Sequence, residues 1–526
     1  MANALPAFPP MPPMRAEAHF GDRVVPCFVE RPQHTDAMIR VAVAANPDGD
    51  AVVDGGTRLS YRDLDAQVSA VARALLARGL ESGARVGLLI GNRWEWVVAL
   101  LGTLRAGLVA VPLSTRAQGA ELAYILDDCG ATLVVAEPAL ADRLPEGLDL
   151  IALDSPFESL LADYADGPVP DPAPAEEELA VILYTSGTTG HPKGAMLTHL
   201  NIVHSCLHFS LCFSMTAADR SLVAVPVSHV TGLIACVLAP MSVGGAVLML
   251  KAFKADAFLD LAERERMTYT IMVPAMYNLC LLRSDFARHD LSAWRIGSYG
   301  GAPMPEATIR RLAEALPNLE LANAYGATET TSPTTLMPPG GTATHSASVG
   351  RVVPCGEVRV MDEAGREVPP GEPGEVWIAG PMVVPGYWNK PEATAENFHA
   401  GFWRSGDIGS LDAHGFLRVF DRKKDMINRG GYKVFSAEVE NVLAHHPAVA
   451  EVAVVPHPDP VLGEKVHAFV HARDDITEDA IRTFCAERLS DYKVPDFVTF
   501  SPDPLPRNSN GKLIKRALRD GIEAGS

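Results

Sequence analysis

The sequence lacks closely spaced cysteines and an excess of positive charge. Its eight cysteines are scattered over 526 residues and form no Cys-x-x-Cys pair, which argues against a zinc site and against a disulfide framework. We therefore expect buried, free thiols and a cytoplasmic protein. Lysine and arginine number 45 against 64 aspartates and glutamates, for a net charge of −19. Such a field repels polyanions, so nucleic acid is not an expected partner.

Neither a secretory signal nor an uninterrupted membrane-spanning run is expected from the sequence. The N-terminal segment is rich in proline and its first basic residue is Arg15, so a charged start followed by an apolar stretch is absent. Residues 233–250 are uncharged and barely long enough to cross a bilayer. Because Pro240 and the pair Gly244-Gly245 interrupt them, a buried helix followed by a buried strand at 246–250 is favoured over a transmembrane segment.

Apolar strands alternate with amphipathic helices along most of the chain. The sequence predicts strands at 86–91, 108–113 and 132–137, and a helix that opens at Ser60 with Asp63 as its capping partner. This alternation predicts an α/β fold of parallel sheets covered by helices on both faces. The acidic, proline-rich segment 166–178 is typical of an exposed linker, here between two parallel α/β subdomains.

The pattern changes near residue 349. Short alternating strands with Gly and Pro turns predict a small β-rich subdomain there. Beyond Asp425, helices at 437–446 and after Thr477, with strands at 449–455 and 466–472, predict a separate α+β C-terminal domain. The expected organisation is a proline-rich extension over 1–34, a large domain over 35–421, a hinge at 422–425 and a mobile lid domain over 426–526.

The strongest local signal is a loop rich in glycine and hydroxyl groups that follows the apolar strand AVILY. Glycines allow backbone N–H groups to turn toward an anion, and serine and threonine add donors, so such a loop binds phosphate. Its spacing does not match a Walker A loop. The candidate phosphate-binding residues are Thr185, Ser186, Gly187, Thr188, Thr189, Gly190 and Lys193.

Five motifs in order extend this signal over roughly residues 40–520. They are TSGTTGHPKG at 185–194, YGATE at 325–329, WRSGD at 403–407, DRKKDMINRGGYKVFSAEVE at 421–440 and PRNSNGK at 506–512. Together they resemble the motif set of the adenylate-forming acyl-CoA synthetase superfamily. That superfamily includes acyl- and aryl-CoA ligases, luciferases and the adenylation domains of peptide synthetases.

The resemblance implies an ATP-dependent carboxylate–CoA ligase that uses ATP, Mg²⁺ and coenzyme A. A carboxylic acid, expected to be fatty or aromatic, would form an acyl-adenylate with release of pyrophosphate and then a thioester with release of AMP. In the superfamily the loop and Lys193 hold the β- and γ-phosphates, Thr328 contacts the α-phosphate and Glu329 binds Mg²⁺. These assignments suit phosphoryl-centre chemistry, which depends on positioning and charge neutralisation.

Further nucleotide and CoA contacts follow from the same resemblance. Asp407 corresponds to the ribose-binding carboxylate, and Arg422 is expected at the edge of that site. The segment Gly430-Gly431 would line the pantetheine tunnel, where glycine permits close backbone approach. The remaining residues expected to bind the nucleotide are Gly301, Ala302, Pro303, Asn323, Tyr325 and Gly326.

Two lysines are assigned to domain motion. Lys512 corresponds to the lysine that enters the active site for adenylation, and Lys424 falls at the hinge position, where a few backbone dihedrals absorb the rotation. Ser436 stands where many members have proline, and the sequence alone gives this difference no mechanistic consequence.

The acyl pocket is the least determined part of the site. His229 resembles a gate beside the acyl group, although Ser228 replaces the aromatic residue that often precedes it. The remaining residues expected along the pocket and the wall toward adenine are Tyr299, Gly300, Gly326 and Ala327.

Two alternatives stay open. One is an adenylating enzyme that loads a carrier protein instead of CoA. The other is a catalytically silent nucleotide-binding protein, against which the presence of Lys193, Glu329, Asp407 and Lys512 argues. The identity of the carboxylic acid and the assembly state, a homodimer among the options, are not determined by the sequence.

Overall fold

A computed structural model describes residues 5–185, 192–302, 304–507 and 513–524. By its internal contacts the chain divides into two compact units. The first comprises residues 1–358, 377–404 and 415–417, and the second comprises 359–376, 405–414 and 418–526. The second unit therefore also includes residues 359–376, 405–414 and 418–421, which all precede residue 422. The domain boundary at 422–425 stays a prediction.

The described residues form mixed helices and strands throughout. The helices are α1 (Thr35–Ala45), α2 (Tyr61–Ala77), α3 (Trp94–Arg105), α4 (Gly119–Cys129), α5 (Ser155–Asp163), α6 (His199–Cys212), α7 (Ala239–Ser242), α8 (Ala255–Arg264), α9 (Pro274–Arg283), α10 (Glu306–Ala315), α11 (Pro391–Asn397), α12 (Ser436–Ala444), α13 (Glu478–Ala486) and α14 (Lys515–Ala524). The strands are β1 (Met14–His19), β2 (Arg23–Phe28), β3 (Asp50–Asp54), β4 (Thr57–Ser60), β5 (Arg85–Leu89), β6 (Val109–Pro112), β7 (Leu133–Ala136), β8 (Asp149–Ala152), β9 (Leu179–Thr185), β10 (Lys193–Thr198), β11 (Arg220–Val223), β12 (Ala246–Met249), β13 (Tyr269–Met272), β14 (Ile296–Tyr299), β15 (Glu320–Tyr325), β16 (Thr335–Leu336), β17 (Gly350–Val352), β18 (Glu357–Met361), β19 (Gly374–Ala379), β20 (Phe398–His399), β21 (Phe402–Leu411), β22 (Phe416–Arg422), β23 (Ile427–Arg429), β24 (Tyr432–Val434), β25 (Val449–Asp459), β26 (Gly463–Ala472) and β27 (Phe497–Phe500).

The first unit contains two largely parallel sheets, as the alternating pattern predicts. One is six-stranded in the order β10-β9-β6-β5-β7-β8. The second places the parallel strands β15-β14-β13-β11-β12-β3 next to one another, with antiparallel strands at both ends. Strands such as β7, all of whose residues are buried, are apolar throughout because helices cover both faces of a parallel sheet.

The interpretation of residues 166–178 as a boundary between the two subdomains is wrong. The segment forms no helix or strand and is largely exposed, as predicted. However, β9 follows it in sequence and pairs in parallel with β6, which precedes it, at Ala110 and Val181. Similarly β3 joins the sheet built from later strands by pairing with β12. Each of the two sheets therefore contains strands that precede this segment and strands that follow it in sequence.

Local signals fix the packing of the helices in the first unit. Ser60 and Asp63 form the predicted capping box at the start of α2. Gly102 allows α3 to pack closely on α2, since a Cβ there would lie 2.5 Å from Val71 Cγ1. Arg105 is buried and its guanidinium forms ion pairs of 2.9 Å and 2.8 Å with Asp36 and Asp65. Burial of that charge is tolerated because it is paired.

The apolar stretch at 233–250 is a buried helix followed by a strand, as predicted. A π-helix over Thr231–Leu238 continues into α7, and the chain turns at Gly244 before β12. In the part of the chain that the structure describes, no helix is long and apolar enough to cross a membrane.

The second unit contains the predicted C-terminal elements. A sheet in the order β24-β23-β26-β25, with β27 parallel to β26, packs with α12 and α13 around an apolar core. The side chain of Thr477 caps α13 by accepting from the backbone N–H of Ala480. Strands β18, β19, β21 and β22 of the β-rich region are each divided between the two units.

Candidate active site

In the first unit, the predicted phosphate loop connects β9 and β10, which form an antiparallel β-hairpin, here called the phosphate hairpin. Thr185 ends β9 and Lys193 begins β10, and the two residues are opposite one another in the antiparallel register. The Thr185 hydroxyl donates to the Lys193 carbonyl oxygen at 3.4 Å. Ser186, Gly187, Thr188, Thr189 and Gly190 lie outside the described residues. The hairpin therefore holds together Thr185 and Lys193, the two described residues of the loop that are predicted to bind phosphate.

A segment far away in sequence, residues 384–388, runs along β10. The Trp388 N–H donates to the Gly194 carbonyl at 2.7 Å, and the Met196 N–H donates to the Gly386 carbonyl at 3.1 Å. Ala195 and Tyr387 form an antiparallel bridge between these interactions. The same segment donates from the Val384 N–H to the Glu329 carbonyl at 3.0 Å. It therefore joins the phosphate hairpin to the turn that carries Glu329.

That turn follows β15 directly. After Tyr325 the chain passes through Gly326 and Ala327 into a 3₁₀ turn over Thr328–Thr330. The Ala327 N–H donates to the Thr330 hydroxyl at 3.0 Å. A Cβ at Gly326 would lie 3.1 Å from the Thr334 backbone nitrogen, so a larger residue would crowd the turn. Thr328 and Glu329 are thus fixed by local hydrogen bonds immediately beyond the end of a parallel strand.

Tyr387, which sequence reasoning missed, links the two phosphate-site elements. Its hydroxyl donates to Glu329 Oε1 at 2.8 Å, and its ring centroid lies 5.2 Å from Lys193 Nζ. Burial, followed by the Glu329 carboxylate, raises the pKa of Tyr387, so the hydroxyl keeps its proton and donates. The only sequence signal is an aromatic residue within a Gly-Tyr-Trp run, which by itself indicates no more than packing.

The residues predicted along the adenine and acyl groups meet at the ends of β14 and β15. Tyr299 and Asn323 are opposite one another in the parallel register. A Cβ at Gly300 would lie 2.4 Å from the Ala324 carbonyl oxygen, and Gly301 has φ +76°, so both positions favour glycine. Ala302 follows in the same loop, and Pro303 lies outside the described residues. Carboxyl ends of adjacent parallel strands are where α/β proteins bind ligands.

The described contacts of two predicted acyl-pocket residues, Tyr299 and His229, are with the surrounding protein. Tyr299 is 1% exposed and packs in the core of the second sheet. His229 is half-buried. Its backbone N–H donates to the Pro226 carbonyl at 3.2 Å, and its backbone carbonyl accepts from the Leu233 N–H at 2.9 Å. A contact of either side chain with substrate stays a prediction.

In the second unit the structure brings Asp407 and Arg422 together. Arg422 Nε lies 2.7 Å from Asp407 Oδ1, and the Asp407 side chain is 6% exposed against 42% for Arg422. The Asp407 N–H donates to Ser405 Oγ at 3.0 Å, and the Lys423 N–H donates to the Gly406 carbonyl at 2.8 Å. Two hydrogen bonds of this turn therefore do not use the Asp407 carboxylate.

The predicted hinge is tied to the C-terminal helix of the same unit. The Lys424 carbonyl accepts from Arg519 Nη1 at 3.0 Å, and the Asp425 carboxylate accepts from the same atom at 3.0 Å. Lys512 lies outside the described residues. Gly430 and Gly431 have φ of +59° and +92°, a left-handed backbone that favours glycine.

Ser436 has a structural consequence that the sequence did not reveal. Its N–H and its hydroxyl both donate to Asp421 Oδ2, at 2.5 Å and 2.7 Å, and the hydroxyl accepts from Lys515 Nζ at 2.7 Å. Proline has neither donor. The serine therefore links the residues before and after the predicted hinge.

Comparison with known proteins agrees with this geometry. The family described as AMP-binding enzyme matches residues 39–388, and the AMP-binding enzyme C-terminal domain matches residues 438–512. The chain belongs to the adenylate-forming acyl-CoA synthetase superfamily. It is therefore an AMP-forming acid–thiol ligase, which joins a carboxylic acid to coenzyme A with ATP through an acyl-adenylate.

Individual superfamily members resemble the chain over nearly its whole length. It is 35% identical to the long-chain-fatty-acid–CoA ligase FadD13 of Mycobacterium tuberculosis, covering 93% of this chain and 98% of the relative. It is 36% identical to a feruloyl-CoA synthase of Amycolatopsis, covering 90% and 96%. Among solved structures, ATP-bound MatB from Rhodopseudomonas palustris superposes with a TM-score of 0.85 at 31% identity, covering 93% and 99%.

Proposed function

We propose that this acyl-CoA synthetase activates a fatty or aromatic carboxylic acid, with Mg²⁺, in the cytoplasm. The observation that carries the reaction chemistry is the cluster of Lys193, Tyr387 and Glu329 at the base of the phosphate loop. The names of the relatives, a long-chain-fatty-acid–CoA ligase and a feruloyl-CoA synthase, support the substrate class. The eight cysteines, all free and buried, suit a reducing compartment.

In the first half-reaction a substrate carboxylate oxygen attacks the α-phosphorus of ATP, and pyrophosphate leaves. Lys193 and the Thr185 hydroxyl neutralise and hold the departing phosphates, and Thr328 holds the α-phosphate. Lys512 meets the charge that develops between the carboxylate and the α-phosphate. Preorganised donors and cations are effective here because the transition state spreads negative charge over phosphate oxygens.

The donor set at Glu329 fits Mg²⁺. A hard cation prefers carboxylate oxygen as a ligand. The Tyr387 hydroxyl donates a hydrogen bond to Glu329 Oε1. A carboxylate has two oxygens, so Glu329 could keep this hydrogen bond while its other oxygen binds a metal ion. Glu329 would hold the ion, which would supply charge neutralisation for the phosphates.

In the second half-reaction the CoA thiolate attacks the acyl carbon, and AMP leaves. Asp407 accepts hydrogen bonds from the ribose hydroxyls, and Arg422 holds the Asp407 carboxylate in place. These contacts retain AMP during both half-reactions. Gly430 and Gly431 leave room for the pantetheine arm. The change from the first half-reaction to the second depends on rotation of the C-terminal domain about Lys424.

The experiment is a panel of acids assayed with ATP, Mg²⁺ and CoA. The panel contains acetate, octanoate, palmitate, benzoate, ferulate and malonate, and AMP and the acyl-CoA are quantified separately. The proposal expects the highest kcat/KM with a fatty or an aromatic member. A preference for acetate or malonate would contradict the substrate class while leaving the ligase reaction intact.

A further inference from the structure

Tyr387 makes contacts that reach beyond ordinary packing of a buried aromatic ring. It is 6% exposed, yet its hydroxyl and its ring face two charged groups of the phosphate site, Glu329 and Lys193. The hydrogen bond to a carboxylate is of the charge-assisted kind, about twice as strong as one between neutral groups. Its ring face favours a nearby ammonium group. One side chain thus contacts both the predicted metal ligand and the predicted phosphate ligand.

The position of Tyr387 is fixed from several directions. Its backbone bridges to Ala195 of β10, and its N–H donates to Thr394 Oγ1 at 3.0 Å. Its ring packs edge-on against Phe398 with a centroid distance of 5.7 Å. The hydroxyl therefore has little freedom, which is what holding another side chain in place requires.

Asp128, at the end of α4, ties the neighbouring residues to the strand that leads into the phosphate loop. Its Oδ2 accepts from the Tyr184 hydroxyl at 2.6 Å and its Oδ1 accepts from Lys390 Nζ at 2.9 Å. Its carbonyl accepts from Trp388 Nε1 at 3.1 Å. The Asp128 side chain is 9% exposed, so these bonds are largely shielded from water. One residue thus connects the strand before the loop to the segment that carries Tyr387.

We propose that Tyr387 is a positioning residue, which holds the Glu329 carboxylate and the Lys193 ammonium group in place for adenylation, and that Asp128 anchors its segment to the phosphate hairpin. The inference rests on the proposed roles of Glu329 and Lys193. Without the Tyr387 hydroxyl, Glu329 Oε1 loses its donor and the carboxylate can rotate away from the phosphates. The effect is confined to the half-reaction that handles pyrophosphate, because the thioester step releases only AMP.

The test is the Mg²⁺ dependence of carboxylate-dependent ATP–pyrophosphate exchange in Tyr387→Phe. The substitution removes one oxygen and keeps the ring beside Lys193. The concentration of Mg²⁺ at half-saturation should rise about tenfold, the loss expected for one hydrogen bond to a charged group. Thioester formation from supplied acyl-adenylate should keep the wild-type rate.

Tyr277→Phe is the matched control. The Tyr277 hydroxyl is also buried in the first unit and donates to the Ser298 carbonyl at 2.8 Å, but none of its described contacts is with Glu329 or Lys193. Loss of a buried tyrosine hydroxyl as such should lower the melting temperature of both variants, while only Tyr387→Phe should alter the Mg²⁺ dependence. Asp128→Ala should shift that dependence in the same direction, by about threefold.

The Glu329→Gln background separates this inference from the proposed function. If Tyr387 acts through Glu329, the double variant should need no more Mg²⁺ than Glu329→Gln alone. A Mg²⁺ dependence unchanged in Tyr387→Phe but shifted in Glu329→Gln would overturn the positioning role and leave the proposed function standing. No shift in Glu329→Gln would overturn the metal assignment itself, and the positioning role with it. No shift in Asp128→Ala would overturn the anchoring role.

Discussion

Replacing Asp407 with alanine should weaken the binding of AMP and ATP to a similar degree. The carboxylate is buried beside Arg422, and a ribose-binding role gives it two hydroxyl donors. Hydrogen bonds to a charged group contribute about 1.5–3 kcal/mol each, and water that enters the vacated space recovers part of that. We expect a net loss of about 2–3 kcal/mol, or about 30- to 150-fold in Kd.

The fold should tolerate this change. Two hydrogen bonds of this turn do not involve the Asp407 carboxylate and remain in the variant: the one accepted by the Ser405 hydroxyl and the one accepted by the Gly406 carbonyl. Arg422 is 42% exposed, so its guanidinium can turn to water after its partner is removed, and the lost ion pair should change stability little. The weakened binding should therefore appear in a folded protein.

The assay is isothermal titration calorimetry with AMP in the absence of metal, so that the Mg²⁺ assignment does not enter. Glu375→Ala is the control, because Glu375 is a buried carboxylate of the same unit that pairs with Lys423 Nζ at 3.1 Å and has no predicted contact with the nucleotide. It should bind AMP as the wild type does. Wild-type AMP affinity in Asp407→Ala would refute the ribose role of this residue.

Three further changes test other parts of the account. Lys512→Ala should lower acyl-adenylate formation about 10²- to 10³-fold and spare thioester formation from supplied acyl-adenylate; equal damage to both half-reactions in a rapid-quench assay would contradict domain rotation. Lys424→Pro keeps the carbonyl that Arg519 contacts but fixes φ, so adenylation should survive while CoA transfer falls at least tenfold; parallel loss of both steps would place Lys424 in the catalytic site or the fold. Burial, and then the charge of nearby His457, lowers the pKa of His467 to about 4. In the unfolded chain the same residue takes up a proton below about pH 6.5. The free energy of unfolding should therefore fall as the pH decreases from 6.5 toward 4. His467→Gln should flatten that loss in melting curves recorded across this range, the exposed His445→Gln should not, and equal slopes in all three proteins would contradict the assignment.

Local sequence signals predicted what local interactions determine. The Ser60–Asp63 capping box lies within one helical turn, and the apolar run of β7 reflects burial of both faces of its sheet. The apolar run AVILY likewise predicted the strand that precedes the glycine-rich loop, which is β9, while phosphate binding by that loop stays a prediction.

Features that depend on distant contacts could not be predicted. The exposed segment 166–178 was interpreted as a subdomain boundary, but β9, which follows it, pairs with β6, which precedes it. The composition of a linker does not determine which strands pair on either side of it. Tyr387 was missed because Glu329, its hydrogen-bond partner, lies 58 residues away in sequence. The role of Ser436 depends on its distance from Asp421, which no motif encodes.

The most direct test of the account is to identify the nucleotide product and the order of product release with one accepted carboxylic acid. Without CoA, the enzyme should catalyse ATP–pyrophosphate exchange that depends on the acid and accumulate enzyme-bound acyl-adenylate. Addition of CoA should then release AMP and acyl-CoA in equal amounts. Formation of ADP and inorganic phosphate, or thioester formation with no acid-dependent exchange, would contradict the two-step adenylate mechanism.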